Sequence, residues 1–140
     1  MGDSIEVLVT GTFNVLHAGH IRLLEFANRF GKVTVGINSD DFLYRKYGKE
    51  NTVKSIDRVY VLKSNIYVEN VFVFSEENPG ALIEKLKPKF YVKGPDYKNI
   101  KIPEDNIINL LGVKKIIQPI EKEYNASDLI KTFDINDLKY

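Results

Sequence analysis

Val7-Leu8-Val9-Thr10-Gly11-Thr12-Phe13-Asn14-Val15-Leu16-His17-Ala18-Gly19-His20 is the stretch on which the fold turns, and it holds both histidines of the 140-residue chain. An apolar run is followed by a glycine-led turn, and the pattern then predicts a helix from Gly19 to Arg29. Strand, turn and helix start thus follow one another directly. His17 and His20 stand three residues apart, a spacing that lets them share one face. A helix start offers unpaired backbone N–H groups and the positive end of the dipole. Backbone and imidazole together can hold the phosphates of a nucleoside triphosphate there, and the glycines let a phosphate approach the main chain. A lone histidine at a helix start is equally well explained as a cap or a packing residue. The turn, Gly19 and a second histidine together favour the phosphate site.

Outward from this stretch, strand-like runs recur at Val33 to Ile37, Val71 to Phe74, Phe90 to Val92 and Lys115 to Gln118, after the first at Val7 to Thr10. Helical patterns alternate with them. The first carries Ile21, Leu23, Leu24, Phe26, Ala27 and Phe30, an apolar stripe wide enough to lie on a sheet, with Gly31 placed to end it. A second is expected from about Val53 to Ser64, and a third from Pro79 to Leu86, with proline in its first turn and Pro88 beyond its end. Tyr47 to Lys54, polar and glycine-containing, is expected to be a mobile loop. Apolar strands alternating with helices imply an α/β fold: one domain with a parallel sheet of about five strands, flanked by helices. Ligands of such sheets bind outside the carboxyl ends of the strands, where the histidines lie. The domain is expected to span residues 1–132, with 133–140 as a tail.

Composition narrows the chemistry. A hydrophobic fraction of 44% is that of an ordinary globular core. Twenty basic residues against 19 acidic leave a formal charge of +1, so no nucleic-acid-binding surface is expected and any anion site must be local. With no cysteine, thiolate zinc sites and cysteine nucleophiles are excluded, and two histidines make no zinc centre of their own, so no protein-held metal is expected. No run is long enough to span a bilayer and no signal peptide is evident, so a cytoplasmic location without membrane partners is the expectation.

Gly11-Thr12-Phe13-Asn14 followed by His17-Ala18-Gly19-His20 resembles the Gly-Thr-Phe-Asp turn and His-x-Gly-His hallmark of the cytidylyltransferase-like nucleotidyltransferase superfamily. The resemblance continues through Val35-Gly36-Ile37-Asn38-Ser39-Asp40, the helix between Pro79 and Pro88, and Val92-Lys93-Gly94-Pro95-Asp96-Tyr97. The last two stretches look most like the adenylyltransferase domain of bacterial ADP-heptose synthase. The single-domain size is similar to glycerol-3-phosphate cytidylyltransferase. The resemblance implies a Rossmann-like domain that transfers a nucleoside monophosphate from ATP or CTP to a phosphorylated sugar or polyol, releasing pyrophosphate. It also implies Mg2+ as a phosphate-bound partner with few protein ligands, and a homodimer.

By that resemblance His17, His20 and Lys46 are the catalytic cations and donors, and Gly11, Thr12, Phe13, Gly19, Lys93, Gly94, Asp96 and Ser127 join them around the nucleotide. Asn14 and Arg58 are assigned to the acceptor. Plainer readings stand beside these. Lys46 reads equally as a surface charge, with Lys49 or Lys54 in its place if the loop register shifts. Arg58 follows Asp57 on a helical face, where an ion pair would contribute only about 0.3 to 0.5 kcal/mol. Lys93-Gly94-Pro95-Asp96 is a turn by composition alone. Two departures bear on catalysis. Asn14 keeps the size of the family's Asp but loses its charge, and Asn125-Ala126-Ser127 replaces Ser-Thr-Thr before the last expected helix, Asp128 to Thr132. Ser127 can still cap that helix, while Asp128 adds a charge that phosphate resists. Both departures motivate a second reading, a nucleotide-binding module without catalysis. Asn125-Ala126-Ser127 also fits a glycosylation sequon, set aside for want of a secretory signal. A flavodoxin-like regulatory domain would leave the histidine turn without purpose.

Overall fold

The computed structural model describes residues 5–120 of the chain. Strands β1 (Val7–Gly11), β2 (Val33–Asn38), β3 (Val68–Phe74), β4 (Phe90–Lys93) and β5 (Lys114–Ile117) form one sheet. All neighbours pair in parallel, in the order β3-β2-β1-β4-β5. In β2 the run Val33 to Ile37 is buried throughout, as a central strand covered on both faces must be. On one face Val7, Val9, Val35 and Ile37 pack with Leu24 and Ala27 of α1 (Ala18–Asn28) and Leu62 of α3 (Ser55–Lys63). On the other, Leu8 and Tyr91 pack with Leu82 and Ile83 of α4 (Gly80–Leu86) and Ile108 of α5 (Asp105–Leu111). The alternation of Val7, Leu8 and Val9 between the two faces is the strand period itself. Gly36 lets α4 come close: a Cβ there would stand 2.5 Å from a Leu82 methyl. This is the expected Rossmann-like α/β fold with a five-stranded parallel sheet, flanked among the described residues by five α-helices.

The chain runs outward from β1 to β3 and then crosses back to place β4 on the other side of β1. The order reverses between β1 and β4, the point at which open α/β sheets bind ligands. Here β1 pairs with β4 only at Val7 with Phe90 and Leu8 with Tyr91. Beyond Leu8 the two strands part, and β4 pairs on with β5 through Lys93 and Ile117.

Element limits differ from expectation where side chains act as caps. The helix expected from Val53 begins at Ser55, because the Asp40 carboxylate accepts the Ser55 N–H at 2.9 and 3.0 Å. Helix α1 closes at Arg29, and Gly31 follows at φ 146° without capping it. Strand β3 starts at Val68 rather than Val71, and β5 is shifted by one residue. Two helices were not anticipated, α2 (Asp40–Tyr47) and α5. Ser39 caps α2 by accepting the Phe42 N–H, Asp40 and Asp41 lie in its first turn, and Arg45 and Lys46 in its last. Only Phe42 and Leu43 of it are buried, so it carries no apolar stripe. The loop expected from Tyr47 therefore starts at Gly48, in the left-handed conformation at φ 72°.

Candidate active site

The histidines close the start of α1 on themselves. His17 is the N-cap, its Nδ1 accepting the Gly19 N–H at 3.1 Å, while the His17 N–H donates to His20 Nδ1 at 3.3 Å. The rings stack with centroids 3.9 Å apart. Each Nδ1 is used as an acceptor, so the neutral tautomer of each ring carries its proton on Nε2. Burial and the neighbouring His17 hold His20 below its ordinary pKa, which favours that neutral form. The stacked pair is thus a fixed platform, with the Val15 carbonyl as a further hydrogen-bond partner of the His20 ring. Gly19 is needed for it, since a Cβ at that position would come within 2.9 Å of the His17 ring.

Phe13 shapes the turn ahead. It is buried at φ 52°, a conformation uncommon for an aromatic residue, with its ring folded over Gly11 and centred 5.1 Å from that of His20. Gly11 and Phe13, both assigned to the nucleotide, therefore build the turn. Thr12 donates its hydroxyl to Asn38 Oδ1 at 3.1 Å and so ties the turn to β2.

Between the parted ends of β1 and β4 lies a cleft of about 550 Å3. His17, Gly19 and His20 line one wall, Lys93, Gly94 and Asp96 the other. These six assigned residues, scattered in sequence, come together as expected. A second cleft of about 430 Å3 opens toward β2 and holds Lys46, Asn38 and Glu77. Thr10, Lys93 and Tyr97 line both clefts. Of the three lysines open to the sequence reading, Lys46 is the one placed here, its Nζ 5.4 Å from the Tyr47 ring. Lys54 pairs with Glu50 at 3.4 Å, and Lys49 lines a neighbouring groove with Asn14. Lys93 Nζ stands 4.1 Å over the Tyr97 ring, and burial holds its pKa below the ordinary lysine value. Among the described residues no carboxylate lies within ion-pair distance of it.

Arg58 corrects two expectations. Its side chain is fully buried and so has no surface to offer an acceptor, and its partner is Asp40, at 2.8 Å, rather than Asp57. The guanidinium also donates to the carbonyls of Val53, Thr12 and Asn38 at 3.0, 3.0 and 2.7 Å. Burial pushes the Asp40 carboxyl up, but bonds from Ser55 and Arg58 outweigh it and hold it below the usual range. Arg58 is thus a strut joining the histidine turn to β2 and α3. Asn14 is exposed and accepts from Asn51 Nδ2 at 2.6 Å, which docks the 48–54 loop on the turn. Ser127 and the domain limit at residue 132 lie outside the described residues.

Sequence reasoning missed one cluster altogether. Tyr91, fully buried, shares its hydroxyl with Thr10 Oγ1 and Glu104 Oε2, both at 2.6 Å. Burial and the Glu104 carboxylate push the Tyr91 pKa up, so it remains a phenol. Tyr97 could have been found within the quoted Lys93 segment; Glu104 had no local signal.

The histidine platform, the parted strands and the lysine-lined clefts meet at the switch point of the α/β sheet. The chain belongs to the cytidylyltransferase-like family, whose model matches residues 8–137. It is a cytidylyltransferase-like nucleotidyltransferase by family. It is 38% identical over 109 residues to the bifunctional protein HldE of Campylobacter curvus, covering 76% of this chain and 23% of that protein. It is 32% identical over 147 residues to HldE of Blochmanniella floridana, covering 98% of this chain and 29% of that one. The chain therefore spans less than a third of the length of these curated relatives. The crystal structure of the lipopolysaccharide core biosynthesis protein of Thermoplasma volcanium superposes with a TM-score of 0.67 at 26% identity, covering 87% of this chain and all of that one. Among the described residues no helix is long and apolar enough to cross a membrane.

Proposed function

We propose that this protein transfers an adenylyl group from ATP to a sugar 1-phosphate of the heptose type, releasing pyrophosphate. The observation that carries the reaction is the gathering of His17, His20 and Lys93 around one cleft at the switch point of the sheet. The acceptor phosphate is an anion at neutral pH, so no base is required. One of its oxygens attacks the α-phosphorus of ATP, the bond from that phosphorus to the oxygen bridging to the β-phosphorus breaks, and the electron pair leaves on pyrophosphate. His17 and His20 donate to the triphosphate oxygens on which charge accumulates, and Lys46 neutralises them from the side of α2. Lys93, Gly94 and Asp96 line the facing wall with Tyr97, and base or ribose is taken up by backbone groups near Gly94. Asn14, assigned to the acceptor, lines a neighbouring groove with Thr12 and Lys49. Magnesium arrives on the triphosphate as part of the substrate. Among the described residues no three metal-binding side chains are gathered to hold a resident ion.

The choice of ATP and a sugar phosphate is supported by the similarity to HldE and by the Val92 to Tyr97 segment. Pyrophosphate release measured for ATP and CTP against heptose-, hexose- and glycerol-phosphates tests it. The expected result is turnover with ATP and a heptose- or hexose-1-phosphate. Turnover only with CTP and glycerol-3-phosphate would replace the substrates. Nucleotide binding without turnover on any pair would leave a binding module.

A further inference from the structure

Lys93 and Glu104 are opposite charges that line the same cleft without touching. Glu104 is 4% exposed, and its carboxylate is committed to the buried Tyr91 hydroxyl. A phenol has one proton. Tyr91 gives it to Glu104, so at the 2.6 Å contact with Thr10 the threonine must be the donor. The resulting chain runs from Thr10 through Tyr91 to Glu104 and fixes the carboxylate to β4 and β1. Held there, Glu104 cannot swing out and quench Lys93 in an ion pair. Its charge acts on the ammonium from a distance, while Lys93 stays over the Tyr97 ring with its N–H donors free of described acceptors.

We propose that Glu104, anchored by Tyr91, is a positioning residue that holds the Lys93 ammonium at the junction of the two clefts, where it takes an anionic oxygen of the acceptor phosphate. The assignment of that oxygen rests on the function proposed above; the coupling of the two side chains does not. Burial draws the Lys93 ammonium toward its neutral form, Glu104 opposes this, and Lys115 adds to the lowering, its own charge paired with Asp105 at 2.7 Å. Lys46 and Glu77 on the second cleft, His17, His20, Arg22 and Asp96 on the first, and the phenols of Tyr91 and Tyr97 are the other titratable groups around it among the described residues.

The test is Glu104→Gln, which keeps an oxygen to accept the Tyr91 hydroxyl and removes only the charge. Lys93 is followed by NMR of its labelled side chain as pH rises, and inorganic phosphate binding by calorimetry. In Glu104→Gln the Lys93 midpoint should fall by about one pH unit, a tenfold smaller charged fraction above it. Phosphate binding should then weaken by up to roughly tenfold at alkaline pH and little near neutrality. Adding Lys93→Arg should restore alkaline binding, because arginine stays charged. An unmoved Lys93 midpoint would reduce Glu104 to a packing residue and overturn the proposal. Absence of turnover on every substrate pair, with the midpoint still responding, would remove the reaction and leave the coupling. Turnover with an unresponsive Lys93 would do the reverse.

Discussion

Arg58 and Lys93 are two cations near the carboxyl ends of neighbouring strands, and the fold treats them in opposite ways. Arg58 is fully enclosed and gives its guanidinium to three carbonyls and the Asp40 carboxylate. Lys93 is half-buried over an aromatic ring, with no described carboxylate in pairing range. A charge whose hydrogen bonds all close within the protein holds the protein together. One that is partly desolvated yet left open is poised for a ligand, because a partner arriving in a dry site interacts more strongly than in water. The histidine pair lines the same cleft, with Nδ1 of each ring accepting from the backbone.

The contrast breaks most directly at Arg58. Arg58→Met should destabilise the fold by about 3 to 5 kcal/mol, since Asp40 and three carbonyls lose their buried partner. Urea unfolding measures it, and a loss below about 1 kcal/mol would place Arg58 among the ligand-seeking charges after all. His20→Ala should act the other way, cutting turnover roughly a hundred- to thousandfold while the unfolding midpoint moves little. Near wild-type pyrophosphate release from the folded variant would empty the platform of its role. The smallest effect is on pH. The folded protein resists protonation of His20, whose pKa lies below 6.5 because of burial and His17. The unfolded chain takes the proton more readily, so this contribution to stability is complete above about pH 6.5 and is lost as pH falls toward the folded value. Thermal unfolding from pH 7 to 5 should fall more steeply for the wild type than for His20→Gln, and parallel curves would mean that burial and His17 do not hold the His20 pKa down.

What was legible followed from local pattern. The strand alternation, the apolar stripe of α1 and the histidine turn each declare themselves within a few residues, and from them came the parallel sheet and the placing of the His17 and His20 motif at the end of β1. The joining of that motif to Lys93 and Gly94 came from the family resemblance, since by composition alone that segment reads as a turn. Helix α2 escaped because its eight residues bury only Phe42 and Leu43 and are organised by caps and end charges. Arg58 was misread because its neighbour Asp57 is the obvious partner, while the real one sits 18 residues away on another helix. Tyr91 and Glu104 are joined across 13 residues by burial, which no periodicity signals.

The sparse seam between β1 and β4 has a mechanical meaning. With only Val7–Phe90 and Leu8–Tyr91 paired, the sheet is two leaves bound along a short spine at its amino end. One leaf, β1 to β3, carries the histidine platform; the other, β4 and β5, carries Lys93. A small change of angle at that spine is magnified at the open margin, so the gap between the histidine donors and the lysine is the distance in the molecule most responsive to flexing of the sheet. The Thr10–Tyr91 hydrogen bond, just past the last rung, is the stitch that limits how far the leaves can part.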